Sequence, residues 1–102
     1  MTNNVQLSLK IVLNLVFKNN DTELLMIQEQ IRKLQIEDLK IKKKEAENAA
    51  KVAVKQKIYS EAAANYKSAS KIASEIFKLG DPSMTKEVKR LTNKANEYEK
   101  LS

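Results

Sequence analysis

The chain has 102 residues, a length that suits one domain, and its lysine and arginine residues outnumber its acids by 19 to 13. It contains no cysteine, no histidine, one glycine and one proline. These numbers exclude a disulfide scaffold, a zinc site of the cysteine or histidine type, catalytic triads that use either residue, and glycine-rich phosphate loops. The composition therefore predicts a non-enzymatic protein without a cofactor or metal. The shortage of turn residues favours long helices over sheets.

Residues 1–20 form an apolar N-terminal segment whose pattern fits two secondary structures. From Val5 to Phe17 every odd position is apolar, which is a strand-like period. The same stretch also offers a helical face, which includes Val5, Leu9 and Val12. Because no second strand is evident to pair with it, we expect a helix. In either form the segment is apolar enough to pack on the following helix, on a second subunit or on a membrane.

Residues 21–44 are predicted to form a helical extension. Its apolar residues have a heptad-like spacing: Leu24, Ile27, Ile31, Leu34 and Ile41. No glycine or proline interrupts residues 21–57, so this extension either continues into the next helix or bends near residues 35–44. Its apolar stripe also makes self-assembly through residues 1–44 one hypothesis for the function.

Residues 45–102 are predicted to form an antiparallel bundle of three helices. The helix before the first turn presents small residues to its neighbour: Ala46, Ala49, Ala50 and Ala53. The second helix, expected over about residues 60–79 with Ser60 as its cap, presents a matching stripe: Ala62, Tyr66, Ala69, Ala73 and Ile76. Small residues on facing stripes let two helix axes approach closely. Gly80 suits the left-handed end of that helix, and Asp81 and Pro82 suit the start of a final helix over about residues 82–101.

The turn between the first two bundle helices resembles two known helical families. A tyrosine in the turn, an acid and an alanine after it, then an aromatic residue and a further alanine are found in order: Tyr59, Glu61, Ala62, Tyr66 and Ala69. This pattern is similar to a tetratricopeptide repeat and to the first two helices of the microtubule-interacting-and-trafficking (MIT) domain. Lys94-Ala95-Asn96 and Tyr98 resemble the end of the third MIT helix. Lys57, where both families usually have glycine, and Val54, where MIT domains often have aspartate, depart from the pattern.

The resemblance implies a non-enzymatic module that binds short amphipathic or acidic peptides in a groove between helices. Candidate contacts lie on the last two helices: Ile72, Ile76, Leu91, Lys94, Ala95 and Tyr98. Each apolar member of this set has the alternative role of closing the core. Only one copy of the hairpin is present, which favours the three-helix MIT-like bundle over a repeat array.

A local excess of lysine suggests other partners. Residues 41–60 contain six lysines and two acids, and the proposed basic patch is Lys42, Lys43, Lys44, Lys51 and Lys55. Such a patch favours an acidic peptide, a nucleic-acid backbone or an anionic membrane surface, or it is simply a solvated face. A basic nucleic-acid-binding protein is therefore a second hypothesis, although arginine and aromatic residues are few. Because no stretch approaches the roughly 20 apolar residues of a membrane span, the sequence predicts a cytoplasmic protein.

Overall fold

The computed structural model describes residues 21–102, which form three helices joined by short turns. Helix α1 is Asp21–Lys55, α2 is Tyr59–Lys78 and α3 is Met84–Leu101. No strand occurs in this range, so the predicted all-α fold with three bundle helices is confirmed. Residues 1–20, including the choice between helix and strand for residues 5–17, lie outside the described residues. Within residues 21–102, no helix combines the length and the hydrophobicity that a membrane span requires.

The chain divides into two units, the first ending at Leu34 and the second beginning at Gln35, and α1 contributes residues to both. The structure assigns residues 21–55 to a single helix. In the described part of the first unit, five large apolar side chains are exposed: Leu25, Met26, Ile27, Ile31 and Leu34. A helix that is apolar on several sides is normally buried against other elements. This exposure fits the assembly surface suggested for residues 1–44, and the assembly itself stays a prediction.

In the second unit the helices alternate in direction. The ring of Tyr98, near the end of α3, stacks on Tyr59, the first residue of α2, with ring centroids 6.0 Å apart. The two helices are therefore antiparallel. Helix α1 runs the same way as α3, because Lys43 pairs with Glu87 and the later Glu47 pairs with the later Arg90. The result is an up-down-up bundle of the kind predicted from the short turns.

Small residues form much of the bundle core. The buried apolar side chains are Ala50, Ala53, Ala62, Ala63, Tyr66, Ala69, Ala73, Ile76, Met84, Leu91 and Ala95. The prediction of facing alanine stripes is confirmed except at Ala49, which is exposed because it is about 100° around the helix from Ala50. Ile36 and Leu39 also pack against this core. The bundle therefore extends towards the N-terminus beyond Glu45, where the sequence placed its start.

A lysine in the left-handed conformation ends α1. Lys57 has a φ of 61°. Its N–H donates to the Val54 carbonyl at 3.0 Å, and the Ile58 N–H donates to the Ala53 carbonyl at 2.9 Å. These two bonds are those of a Schellman motif, in which glycine is the usual residue. The turn therefore has a lysine at the position that favours glycine, and the Cβ atom of Lys57 adds conformational strain.

Replacing Lys57 with glycine is expected to raise the free energy of unfolding by about 0.5–1 kcal/mol. Relief of a left-handed conformation is worth roughly 1–2 kcal/mol, and it exceeds the roughly 0.5–1 kcal/mol of extra backbone entropy that glycine loses on folding. The midpoint of urea denaturation measures the change. Lys57→Ala is the control, because alanine keeps the Cβ atom and should give no stabilisation. A lower midpoint for Lys57→Gly than for the natural chain would contradict this account.

The second turn follows its predicted chemistry, with two corrections at helix starts. Gly80 has a φ of 111°, and its N–H donates to the Phe77 carbonyl at 2.9 Å. The Asp81 carboxylate accepts the Ser83 N–H at 3.0 Å, and bonds from Ser83 hold the pKa of this carboxyl below its usual value. The regular helix nevertheless begins at Met84 rather than Pro82. The predicted Ser60 cap is wrong, because α2 begins at Tyr59 without a side-chain cap.

Candidate functional site

The six residues predicted to contact a peptide divide into core and surface. Ile76 and Leu91 are fully buried and Ala95 is 4% exposed, so these three close the core and present no groove surface. Ile72, Lys94 and Tyr98 are half-buried. The reason is periodicity: a stripe with steps of three and four gives the same pattern whether it faces a neighbouring helix or a ligand. The alternative of a core role therefore holds for half of the set.

Three tyrosines stack along the bundle where α2 starts and α3 ends. Tyr98 lies close to both Tyr59 and Tyr66, with centroid distances of 6.0 and 5.7 Å and nearly parallel rings. Burial raises the pKa of Tyr66, and the nearby Tyr98 and Glu47 add to this shift. Tyr66 is 4% exposed, which matches its expected core role. The stack leaves only part of Tyr98 available to a ligand.

An open groove follows the seam between α2 and α3. Its main part has a volume of about 510 Å³ and is lined by Ala64, Lys67, Ser68, Ser70, Lys71, Ser74, Val88 and Thr92. A second depression of about 270 Å³ shares Ala64 and Lys67 with it and continues to Glu99 and Ser102. We call the main part and its continuation the α2/α3 groove. None of the six candidate peptide contacts lines it.

Small polar side chains connect the two helices within the groove. The Ser70 Oγ lies 2.7 Å from the Thr92 Oγ1 and 3.4 Å from the Val88 carbonyl oxygen, to which it donates. Lys67 and Lys71 lie one helical turn apart, are exposed, and make no ion pair with any residue in the range 21–102. The groove thus combines a shallow floor of alanine and hydroxyl groups with two free ammonium groups. This combination suits an anionic ligand that approaches closely.

The helix seam between α1 and α3 is closed by an ion-pair cluster. The Lys43 Nζ lies 2.8 Å from the Glu87 Oε1, and the Arg90 Nε donates to the Glu87 Oε2 at 2.7 Å. Arg90 also pairs with Glu47. Hydrogen bonds from Arg90 and then Lys43 lower the pKa of Glu87 to about 2. The same carboxylates raise the pKa of Arg90. Salt bridges therefore join α1 to α3, and none of the residues that form them lines the open groove.

The Glu87 cluster predicts a specific loss of stability in acid. Because the pKa of Glu87 falls from 4.5 in a model peptide to about 2 in the fold, its ionised form stabilises the bundle above about pH 4.5, and this contribution is lost as the pH falls towards 2. Glu87→Gln should lower the free energy of unfolding by on the order of 1–2 kcal/mol at neutral pH, after allowance for solvent screening, and by almost nothing near pH 2.

Urea denaturation of the natural chain and of the Glu87→Gln variant, at neutral and at acidic pH, measures this difference in the free energy of unfolding. Glu97→Gln is the matched control, since the Glu97 side chain is 59% exposed and comes no closer than 4.0 Å to its partner Lys94. A loss for Glu87→Gln that stays equal at both pH values would show that the carboxylate charge is not what Glu87 contributes.

The predicted basic patch separates into paired and unpaired lysines. Lys42 lies 3.2 Å from Asp38, and the mostly buried Lys43 pairs with Glu87. Lys44, Lys51 and Lys55 are exposed and have no ion pair in the described part of the chain. Of the five lysines in the predicted basic patch, only these three are both exposed and without an ion pair in the described residues.

The groove residues that sequence reasoning missed are mostly serine, threonine and alanine at the edge of the apolar stripes. Their signal was a row of small polar residues one position from the core stripe, as at Ser70 and Ser74. Across residues 21–102 no cluster of acidic side chains has the arrangement of a metal site. Comparison with protein-family models, with curated proteins and with solved structures found no match for this chain.

Proposed function

We propose that this protein is a non-enzymatic interaction module that binds a short acidic, amphipathic peptide in the α2/α3 groove. The supporting observation is the groove itself: it is open along the helix seam, has a floor of small residues, and carries the unpaired Lys67 and Lys71 on its rim. A peptide helix that lies on such a floor gains contact area from the close approach. Its acids gain from the two lysines, which set its orientation.

The resemblance to the MIT domain supports the same class of function. The residues that carry the resemblance lie at positions that organise the bundle, with Tyr59, Tyr66 and Tyr98 in one stack and Ala69 in the core. Their role in the proposal is to hold α2 and α3 at the spacing that leaves the groove open. Of the six candidate contacts predicted from the sequence, Ile72, Lys94 and Tyr98 are half-buried, but none of the six lines the groove, so the proposed contacts are the groove residues themselves.

A titration with a fluorescent acidic amphipathic peptide tests the proposal. Binding should saturate, and the double variant Lys67→Glu with Lys71→Glu should weaken it about tenfold or more, because two attractive rim charges become repulsive. The matched control is Lys51→Glu with Lys55→Glu, which makes the same change in net charge on α1. Equal weakening by both double variants would show that only net charge matters and would count against a site in the groove.

A neutral peptide of the same hydrophobic pattern separates the two parts of the recognition. It should bind more weakly than the acidic peptide and be insensitive to the Lys67 and Lys71 changes. If no acidic peptide in a panel of varied spacing saturates the protein, the proposed function is wrong.

A further inference from the structure

The solvent side of α1 carries three lysines in one row. Lys44, Lys51 and Lys55 are exposed, and their spacing of seven and four residues places them within about 40° of each other around the helix. The buried Ala50 and Ala53 lie on the other side of the same helix. The row therefore faces away from the core, and none of its members lines the α2/α3 groove.

The charge of this row is not cancelled by neighbours. No ion pair in the described residues involves Lys44, Lys51 or Lys55, whereas Lys40, Lys42 and Lys43 all pair with acids. Two exposed acids lie near the surface: Glu45 beside Ile41 and Val52, and Glu37 in line with the lysines, seven residues before Lys44. Three lysines against two acids leave the surface with a net positive charge. A surface of this kind attracts an anionic partner, and the attraction weakens with salt.

Two exposed apolar side chains run alongside the lysines. Ile41 is 57% exposed and Val52 is 53% exposed. At 3.6 residues per turn both lie roughly 60–80° from Lys44, on the same solvent side of the helix. An arrangement of aliphatic side chains with lysines beside them suits the boundary between lipid head groups and acyl chains, where the aliphatic groups enter and the ammonium groups reach the phosphates.

We propose that this surface, defined by Ile41, Lys44, Lys51, Val52 and Lys55, docks the protein on a membrane that contains anionic phospholipids. A nucleic acid fits the surface less well, because a phosphate backbone rewards the lysines and gains nothing from Ile41 and Val52. The surface also has no arginine for base edges and no aromatic ring for stacking. The inference is independent of peptide binding, since the two surfaces share no residue.

Co-sedimentation of the full chain with lipid vesicles tests this inference. The chain should bind vesicles of mixed phosphatidylglycerol and phosphatidylcholine, should not bind phosphatidylcholine alone, and should be released by high salt. Each lysine near an anionic surface contributes about fivefold, so the triple variant Lys44→Glu, Lys51→Glu and Lys55→Glu should lose on the order of 100-fold or more in binding. The control carries the same charge change elsewhere: Lys67→Glu, Lys71→Glu and Lys89→Glu.

A second variant distinguishes lipid from nucleic acid. The double variant Ile41→Ser with Val52→Ser should reduce vesicle binding severalfold. It should leave unchanged any shift in the gel mobility of duplex DNA. Circular dichroism of each variant shows that it is folded. Three results would overturn the proposal: absence of vesicle binding by the natural chain, equal losses for the two triple variants, or vesicle binding that is indifferent to the Ile41 and Val52 changes.

Discussion

Leu91→Ala should destabilise the bundle by about 3 kcal/mol, because loss of a buried leucine side chain removes its transfer free energy and leaves a cavity. Leu91 is one of the two largest side chains that are fully buried, and four of the seven other buried members of its core cluster are alanines, whose short side chains cannot fill the space. A small single core rarely supplies more than about 3–5 kcal/mol in total. The variant is therefore expected to be largely unfolded near physiological temperature.

Thermal and urea denaturation followed by circular dichroism measure this loss. Leu101→Ala is the matched control, since Leu101 is on the same helix and 58% exposed, and it should change the free energy of unfolding by less than about 0.5 kcal/mol. Similar losses for the two variants would mean that Leu91 does not lie at the centre of the core.

Ala50→Leu is expected to destabilise the bundle by at least about 1–3 kcal/mol, because extra methyl groups force apart helices that approach through small residues. Ala50 is fully buried and belongs to the main core cluster. The neighbouring Ala49 is exposed, so Ala49→Leu makes the same chemical change one position away and should be nearly neutral. The midpoints of urea denaturation compare the two. If Ala50→Leu were as stable as Ala49→Leu, the close approach of the helices would be disproved.

Much of the fold was predictable because a few residues, the glycine at one turn and the alanines of two helices, carried most of the signal. Gly80 could be assigned to a left-handed helix end because glycine, which occurs once in this chain, adopts a positive φ without a Cβ clash. Its φ of 111° agrees with this assignment. Alanine stripes with steps of three and four predicted which sides of α1 and α2 meet. At the other turn, the families that the sequence resembles usually have glycine at the position of Lys57, but lysine itself carries no signal for the left-handed conformation that it takes there.

The candidate site was less predictable, for physical reasons that particular residues show. Lys43 and Lys44 are identical neighbours in sequence, and only the distant Glu87 makes the first a structural ion pair and leaves the second free. Leu91 and Ala95 have the spacing of a groove wall and are buried instead. The groove floor depends on Ser70 and Thr92, which come from two helices and meet at 2.7 Å. Such cross-helix pairs do not appear in any local pattern.

The most direct measurement of the proposed peptide site is a titration of the isotope-labelled chain with an acidic amphipathic peptide, followed by nuclear magnetic resonance of the backbone amides. We expect saturable shifts concentrated at the groove residues: Ala64, Lys67, Ser70, Lys71, Val88 and Thr92. Amides of α1 from Lys44 to Lys55 should change little. Shifts concentrated on that part of α1, or no saturable shifts at all, would contradict a peptide site between α2 and α3.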